Sequence, residues 1–323
     1  MSSVTAITEQ PVYDNREAFA GELIALAEAD ERIVAVCNDS VGSSKLERFQ
    51  ERFPDRLINV GIAEQNMVGV GAGLANGGMI PFVCGAAPFL TGRATEQIKA
   101  DLAYSQYPVI LCGMSPGMAY GQLGPTHHSV EDLSWMRALP GLDIVFPADR
   151  HETRQALQLA AESTRPMFIR VGRFGVPDVN PEDAALKRGE WNALTDGNDV
   201  TIFALGSMVS RALAASEVLS AEHGIKARVV NAAWAAPMDR AAVEDAARTS
   251  KAIITAEEAN VSGGLGAGVA SIVSQLPEHR VPMRILGIHD EFAPTGSNAY
   301  LLEYFGLTAD DIVNAAREAL DHG

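Results

Sequence analysis

Apolar residues recur along this chain in two alternating rhythms. Short apolar runs at 33–37, 57–60, 79–83, 109–112, 143–146 and 167–171 read as strands buried on both faces. Between them, segments with helical spacing fall at 15–29, 46–53, 63–76, 91–104, 130–138 and 151–163. Repeated strand–helix units predict a parallel sheet with helices on both faces. From 175 to 198 the rhythm dissolves into Pro, Gly, Asp and Asn, which reads as a linker. It then resumes, with strands at 201–205, 227–230, 252–256 and 283–286, and helices at 208–223, 240–248, 264–275, 299–305 and 310–320. The expected fold class is α/β, with two parallel-sheet αβα domains at 1–180 and 199–323 and a linker at 181–198.

The totals narrow the function classes. A chain of 323 residues suits two domains. The formal net charge of −16 excludes nucleic acid as the main partner, because phosphate neutralisation needs a basic face. A small anion stays possible, since a few arginines can reverse the potential locally. No apolar run approaches membrane-spanning length, and residues 1–10 lack the apolar core of a signal peptide. The expected setting is therefore cytoplasmic. Cys37, Cys84 and Cys112 lie in strand-like runs without metal spacing, and read as buried reduced thiols. No metal ligand set is expected on this chain.

Glu64 stands at the turn between a strand and a helix rich in small residues. An acid there can serve proton chemistry, or simply favour the positive end of the helix dipole. Gly69, Gly73 and Gly77 recur at four-residue spacing on that helix, which would let another helix approach. Residues 113–128 form a long Gly/Pro loop ending in His127 and His128, suited either to proton handling or to an ordinary surface. Arg16 and Arg173 could form an anion clamp if one rim gathers them, or pair with surface acids. Asp39, Glu64, Ser115 and His127 all follow strands, where sites form in parallel sheets. The Gly triplets at 69–73 and 264–268 do not complete a dinucleotide loop, so they read as close-packing positions, and there is no phosphate loop of the Walker type.

Several strings, in this order, resemble the C-terminal half of transketolases, above all the form split into two subunits. They are Gly61-Ile62-Ala63-Glu64-Gln65-Asn66-Met67, Phe89-Leu90-Thr91-Gly92-Arg93-Ala94, Gly124-Pro125-Thr126-His127 and Ile169-Arg170-Val171-Gly172-Arg173. Thr255-Ala256-Glu257-Glu258, Gly263-Gly264-Leu265-Gly266 and Asp290-Glu291-Phe292-Ala293-Pro294-Thr295-Gly296 resemble that family's C-terminal domain. The resemblance implies a transferase moving a two-carbon ketol unit from a ketose to an aldehyde with thiamine diphosphate.

By the same resemblance, Glu64 hydrogen-bonds the cofactor's aminopyrimidine at N1′, Phe89 stacks on that ring, and Asp39 lies near the thiazolium. His127 binds the donor's terminal hydroxyl. Arg16, Ser43 and Arg173 match the substrate-phosphate site. Burial in an apolar site is expected to raise the pKa of Glu64. Three departures point to altered sugar specificity. Ser115 stands where the family has a phosphate-site histidine, Gln122-Leu123 replaces an acidic pair, and Ala86 replaces an aromatic near the cofactor. A branched-sugar phosphate or a sulfonated sugar is the expected substrate class. The chain has no Gly-Asp-Gly segment, which the resemblance assigns to the diphosphate and Mg²⁺ site. A partner subunit should supply that half, in an α₂β₂ assembly. Alternatives left open are a 2-oxoacid dehydrogenase E1 β-type subunit, a deoxyxylulose-phosphate-synthase-like half, and a catalytically silent scaffold. The second domain carries no obvious catalytic set and is expected to orient and dimerise the halves.

Overall fold

The structure is a computed structural model that describes residues 10–277 and 281–321. Most of the N-terminal segment considered above lies outside the described residues.

The first sheet is built from β2 (Ile33–Cys37), β3 (Leu57–Asn59), β4 (Ile80–Ala86), β5 (Ile110–Met114), β6 (Asp143–Val145) and β7 (Met167–Val171). A short ribbon precedes and closes it, β1 (Val12–Asp14) against β8 (Gly175–Pro177), antiparallel. The second sheet holds β9 (Asn192–Ala193), β10 (Val200–Ala204), β11 (Ala227–Asn231), β13 (Ala252–Asn260) and β14 (Met283–Ile288), while β12 (Trp234–Ala236) crosses to the first sheet. The first sheet runs in the order β12-β6-β7-β5-β4-β2-β3, and the second β14-β13-β10-β11-β9. All neighbours are parallel except β12 on β6 and β9 on β11. The two expected α/β sheets are therefore present.

The central strands are apolar on both faces because helices cover both. All of β2, β5 and β7 is buried, and Phe82, Val83 and Cys84 of β4 are fully so. Cys37, Cys84 and Cys112 are free thiols on directly paired positions of β2, β4 and β5. The helix Asn15–Ala29 begins where the Asp14 carboxylate accepts the Arg16 N–H (2.9 Å), and Arg150–Glu162 where Asp149 accepts that of Glu152 (2.9 Å).

Two readings of local structure change. The segment at 181–198 is a packed strap: Leu186 and Trp191 are buried, and the Gln155 side chain bonds the Leu186 N–H (2.6 Å). The expected helix at 91–104 is broken into Ala87–Arg93, Thr95–Gln97 and a π-helical stretch, Ile98–Tyr104. Gly69 faces the π-helical stretch, where a Cβ would sit 3.9 Å from the Asp101 carboxylate. Gly71 lies against Val83 and Val109 of the sheet, where a Cβ would sit 2.7 Å from Val83.

The domains meet along a polar seam. Arg170 of β7 is 7% exposed; it bonds Asp132 (3.1 Å) and the carbonyls of Ser129 (2.9 Å) and Glu258 (3.0 Å). Glu258 in turn accepts the Met118 N–H (2.8 Å) and the Ser207 hydroxyl (2.9 Å). Glu152 accepts the Asn231 amide of β11 (2.9 Å).

Candidate active site at the carboxyl edge of the first sheet

Chain order reverses direction between β2 and β4, the place outside the carboxyl ends where open parallel sheets form ligand sites. Asn38 follows β2, Glu64 opens the helix Glu64–Asn76 after β3, and Phe89 lies in the helix Ala87–Arg93 after β4. Glu64 is 3% exposed. Its Oε1 accepts bonds from Asn38 Nδ2 (2.6 Å) and Arg93 Nη1 (2.9 Å). Arg93 lies four residues from Phe89 on the same helix face, and its guanidinium carbon stands 4.1 Å from the ring centroid. Phe89 meets His127 edge to face at 5.1 Å, Tyr120 meets His127 at 6.0 Å, and Arg173 covers Tyr120 at 5.1 Å. One unbroken string of contacts thus runs from Asn38 through Glu64, Arg93, Phe89, His127 and Tyr120 to Arg173.

The loop bearing His127 is held from both domains. Gly117 and Ser129 exchange backbone bonds of 2.9 and 2.8 Å, and the Gly296 N–H bonds the Gly121 carbonyl (3.0 Å). A side chain at Gly121 would strike the Gly296 carbonyl, so glycine is required where the 290–296 segment passes. Thr126 Oγ1 lies 3.0 Å from His127 Nδ1 and can fix the ring. Leu123, 55% exposed, forms an apolar tip on this loop.

The remaining candidates are placed differently. Asp39 is exposed after β2, and Asn59 Oδ1 accepts its N–H (3.0 Å). Arg16 is buried, paired with Asp14 (2.6 Å), and its Nη1 bonds the Ser43 carbonyl (3.2 Å). Arg16 and Ser43 are thus brought together, but the guanidinium charge is answered internally. Ser115 is fully buried and its hydroxyl has no partner, so it is not on the open rim. Arg173 lines a small cleft of about 50 Å³ between the domains, together with Asn15, Ser207 and Glu258.

The expected rise in the Glu64 pKa is corrected. Burial does push it up, and is the largest single influence. Bonds from its own N–H, Arg93 and Asn38, with the Arg93 charge, together outweigh burial and hold the carboxyl below its ordinary value. Asn38, Arg93 and Tyr120 had no role in the sequence reading. Only Arg93 left a signal, its i+4 spacing from Phe89.

The family model "Transketolase, pyrimidine binding domain" matches residues 12–177, and "Transketolase, C-terminal domain" matches 189–312. The chain belongs to the transketolase family. It is 43% identical over 304 residues to one of the subunits of an apulose-4-phosphate transketolase from Phocaeicola vulgatus, covering 94% of this chain and 96% of that protein. It is 38% identical over 306 residues to a 6-deoxy-6-sulfo-D-fructose transketolase subunit from Clostridium sp., covering 95% and 94%. A solved structure titled "Split gene transketolase, inactive beta4 tetramer" superposes with a TM-score of 0.87 at 40% identity, covering 95% and 98%. The chain is accordingly a transketolase-type transferase subunit, and its family implies dependence on thiamine diphosphate.

The residues present fit the aminopyrimidine half of that cofactor. A flat, nitrogen-bearing group, the Arg93 guanidinium, already lies on Phe89 and bonds Glu64, so this pair can seat such a group. Among the described residues, no three His, Cys, Asp or Glu side chains are placed to hold a metal ion. No helix among them is long and apolar enough to cross a membrane.

Proposed function

We propose that this chain is the pyrimidine-binding half of a two-component transketolase that takes a non-standard anionic ketose. The contact string from Glu64 to Arg173 carries the reading, since it orders a cofactor contact, a hydroxyl contact and a cation along one rim. Bound thiamine diphosphate would supply the carbon nucleophile for cleaving and forming C–C bonds. Glu64 would share a proton with N1′ of the cofactor's aminopyrimidine. Phe89 offers a ring face for stacking, and Asp39 stands by as an acid at the open edge. His127, steadied by Thr126, takes the donor's terminal hydroxyl. Arg173 answers the substrate's anionic end, with Arg16 and Ser43 shaping the wall beside it and Ser115 filling the histidine's place without reaching ligand.

An N-terminal-type partner subunit would hold the diphosphate and Mg²⁺, in an α₂β₂ assembly. Two relatives whose names specify unusual sugars support altered specificity, as does Leu123, which offers no hydrogen bond where the family pattern has an acid. The buried free cysteines support a reducing, cytoplasmic setting.

The test is reconstitution. The chain, alone and with a co-expressed partner bearing Gly-Asp-Gly, is assayed with thiamine diphosphate and Mg²⁺ on three donors: apulose 4-phosphate, 6-deoxy-6-sulfofructose and xylulose 5-phosphate. Turnover is expected only with the partner, and best on one of the first two donors. Full turnover by the chain alone, or a clear preference for xylulose 5-phosphate, would refute the corresponding half of the proposal.

A further inference from the structure

Arg93 occupies an odd position for a surface cation. Its side chain is 49% exposed, yet its tip reaches a carboxylate that is 3% exposed. Three features coincide there. The guanidinium lies 4.1 Å from the Phe89 centroid, it bonds Glu64 Oε1 at 2.9 Å, and the second bond to that oxygen comes from Asn38. Stacking on one aromatic face while donating to one carboxylate is also what an aminopyrimidine would do between these side chains. Guanidinium is planar, delocalised and weakly hydrated, so it suits that role better than an ammonium would.

We infer that Arg93 is a placeholder, seating its guanidinium between Glu64 and Phe89 until the cofactor's aminopyrimidine displaces it. The inference rests on the reading of Glu64 and Phe89 as the pyrimidine contacts. The physical need is plain. A buried carboxylate without a cation is costly in a subunit that has not yet met its cofactor. Arg93 meets that need from a helix end, on a long side chain with half its surface in water, and can swing outward without unpacking the core. Its hold on Glu64 has to be given up when the ring arrives, so Arg93 sets the cofactor's apparent affinity as a competitor. The alternative is a cation that stays and assists the bound ring, and it makes the opposite prediction.

The experiment uses the complex with the partner subunit. Thiamine diphosphate binding in Mg²⁺ is measured by titration calorimetry for the wild type, Arg93→Gln, Arg93→Lys and Glu64→Gln. Arg93→Gln should bind about two- to fivefold more tightly, the modest range expected for a half-exposed pair. Arg93→Lys should show a smaller gain, since it keeps the charge but loses the planar stack. In the free subunit, carbon-detected titration should show the Glu64 carboxyl pKa rising in Arg93→Gln, as burial is left less opposed. Unchanged or weaker binding in both Arg93 variants would overturn the inference. Unaltered binding in Glu64→Gln would instead overturn the underlying assignment of the pyrimidine seat.

Discussion

The rim around Glu64 and the seam between the domains both bury carboxylates, and they treat them in opposite ways. At the seam, Glu257 accepts the N–H groups of Leu265 (2.6 Å) and Gly266 (2.8 Å), and Glu152 those of Ala148 (2.7 Å) and the Asn231 amide (2.9 Å). Neither has a cation bonded to it, and burial pushes both up to about 7. Glu64 is as little exposed but lies nearer the surface, and it is held below its ordinary value with a half-exposed arginine among its partners. The seam is finished within the chain. The rim relies on a half-exposed side chain, and the proposed placeholder role of Arg93 turns on that difference.

The strongest way to break this comparison is to remove each carboxylate and ask what is lost. Glu64→Ala in the reconstituted complex should lower turnover by about 100- to 10,000-fold, the range for a proton-handling group. Its unfolding free energy should fall by only about 1–3 kcal/mol, because Arg93 can turn to water and the one buried donor left unpaired is the Asn38 amide. Steady-state kinetics and urea unfolding check the two halves. Retained turnover would favour a scaffold role for the chain.

Asp132→Ala should do the reverse. It strands Arg170 inside the seam at 7% exposure, and uncompensated buried charges typically cost about 3–5 kcal/mol. The loss should show in urea unfolding of the subunit, while thiamine diphosphate affinity of the surviving folded complex holds near wild type. A loss under about 1 kcal/mol would mean the seam is not the stabilising element.

Much of this was legible in the sequence, and what was not has common causes. Strand–helix alternation predicted both sheets because buried parallel strands are apolar throughout. Glu64 and Phe89 were legible through motif strings, and His127 through its Gly/Pro loop. Arg93 was inside a quoted string but had no role, since its partner lies 29 residues away across a βα turn. Asn38 was hidden likewise, 26 residues from Glu64. The crossing strand Trp234–Ala236 is three residues long and precedes Pro237, so period-2 patterning could not show it. The Glu64 pKa was misjudged because burial was legible while its hydrogen bonds were not. The ion-pair alternative for Arg16 is the one the structure shows, with Asp14, two residues earlier, as both helix cap and partner.

The smallest expected effect separates the two regions by pH. Glu152 sits beside Asp149, whose charge adds to burial in raising it, against bonds from Ala148 and Asn231. An acid whose folded pKa exceeds its unfolded value of 4.5 holds a proton that the unfolded chain has lost. Stability therefore falls as pH rises from about 4.5 to about 7 and is level above that, by roughly 3 kcal/mol for this group. Asn231 Oδ1 has no hydrogen-bond partner, and an amide flip would let protonated Glu152 donate to it. Glu152→Gln keeps the site neutral at every pH. Glu257 titrates in the same window in both proteins, so subtracting the curves isolates Glu152. The stability of Glu152→Gln minus that of the wild type should climb between pH 5 and about 7 and then stay constant. Parallel curves would show that Glu152 is ionised in the seam throughout, and that its bonds to Ala148 and Asn231 offset burial as those of Glu64 do at the rim.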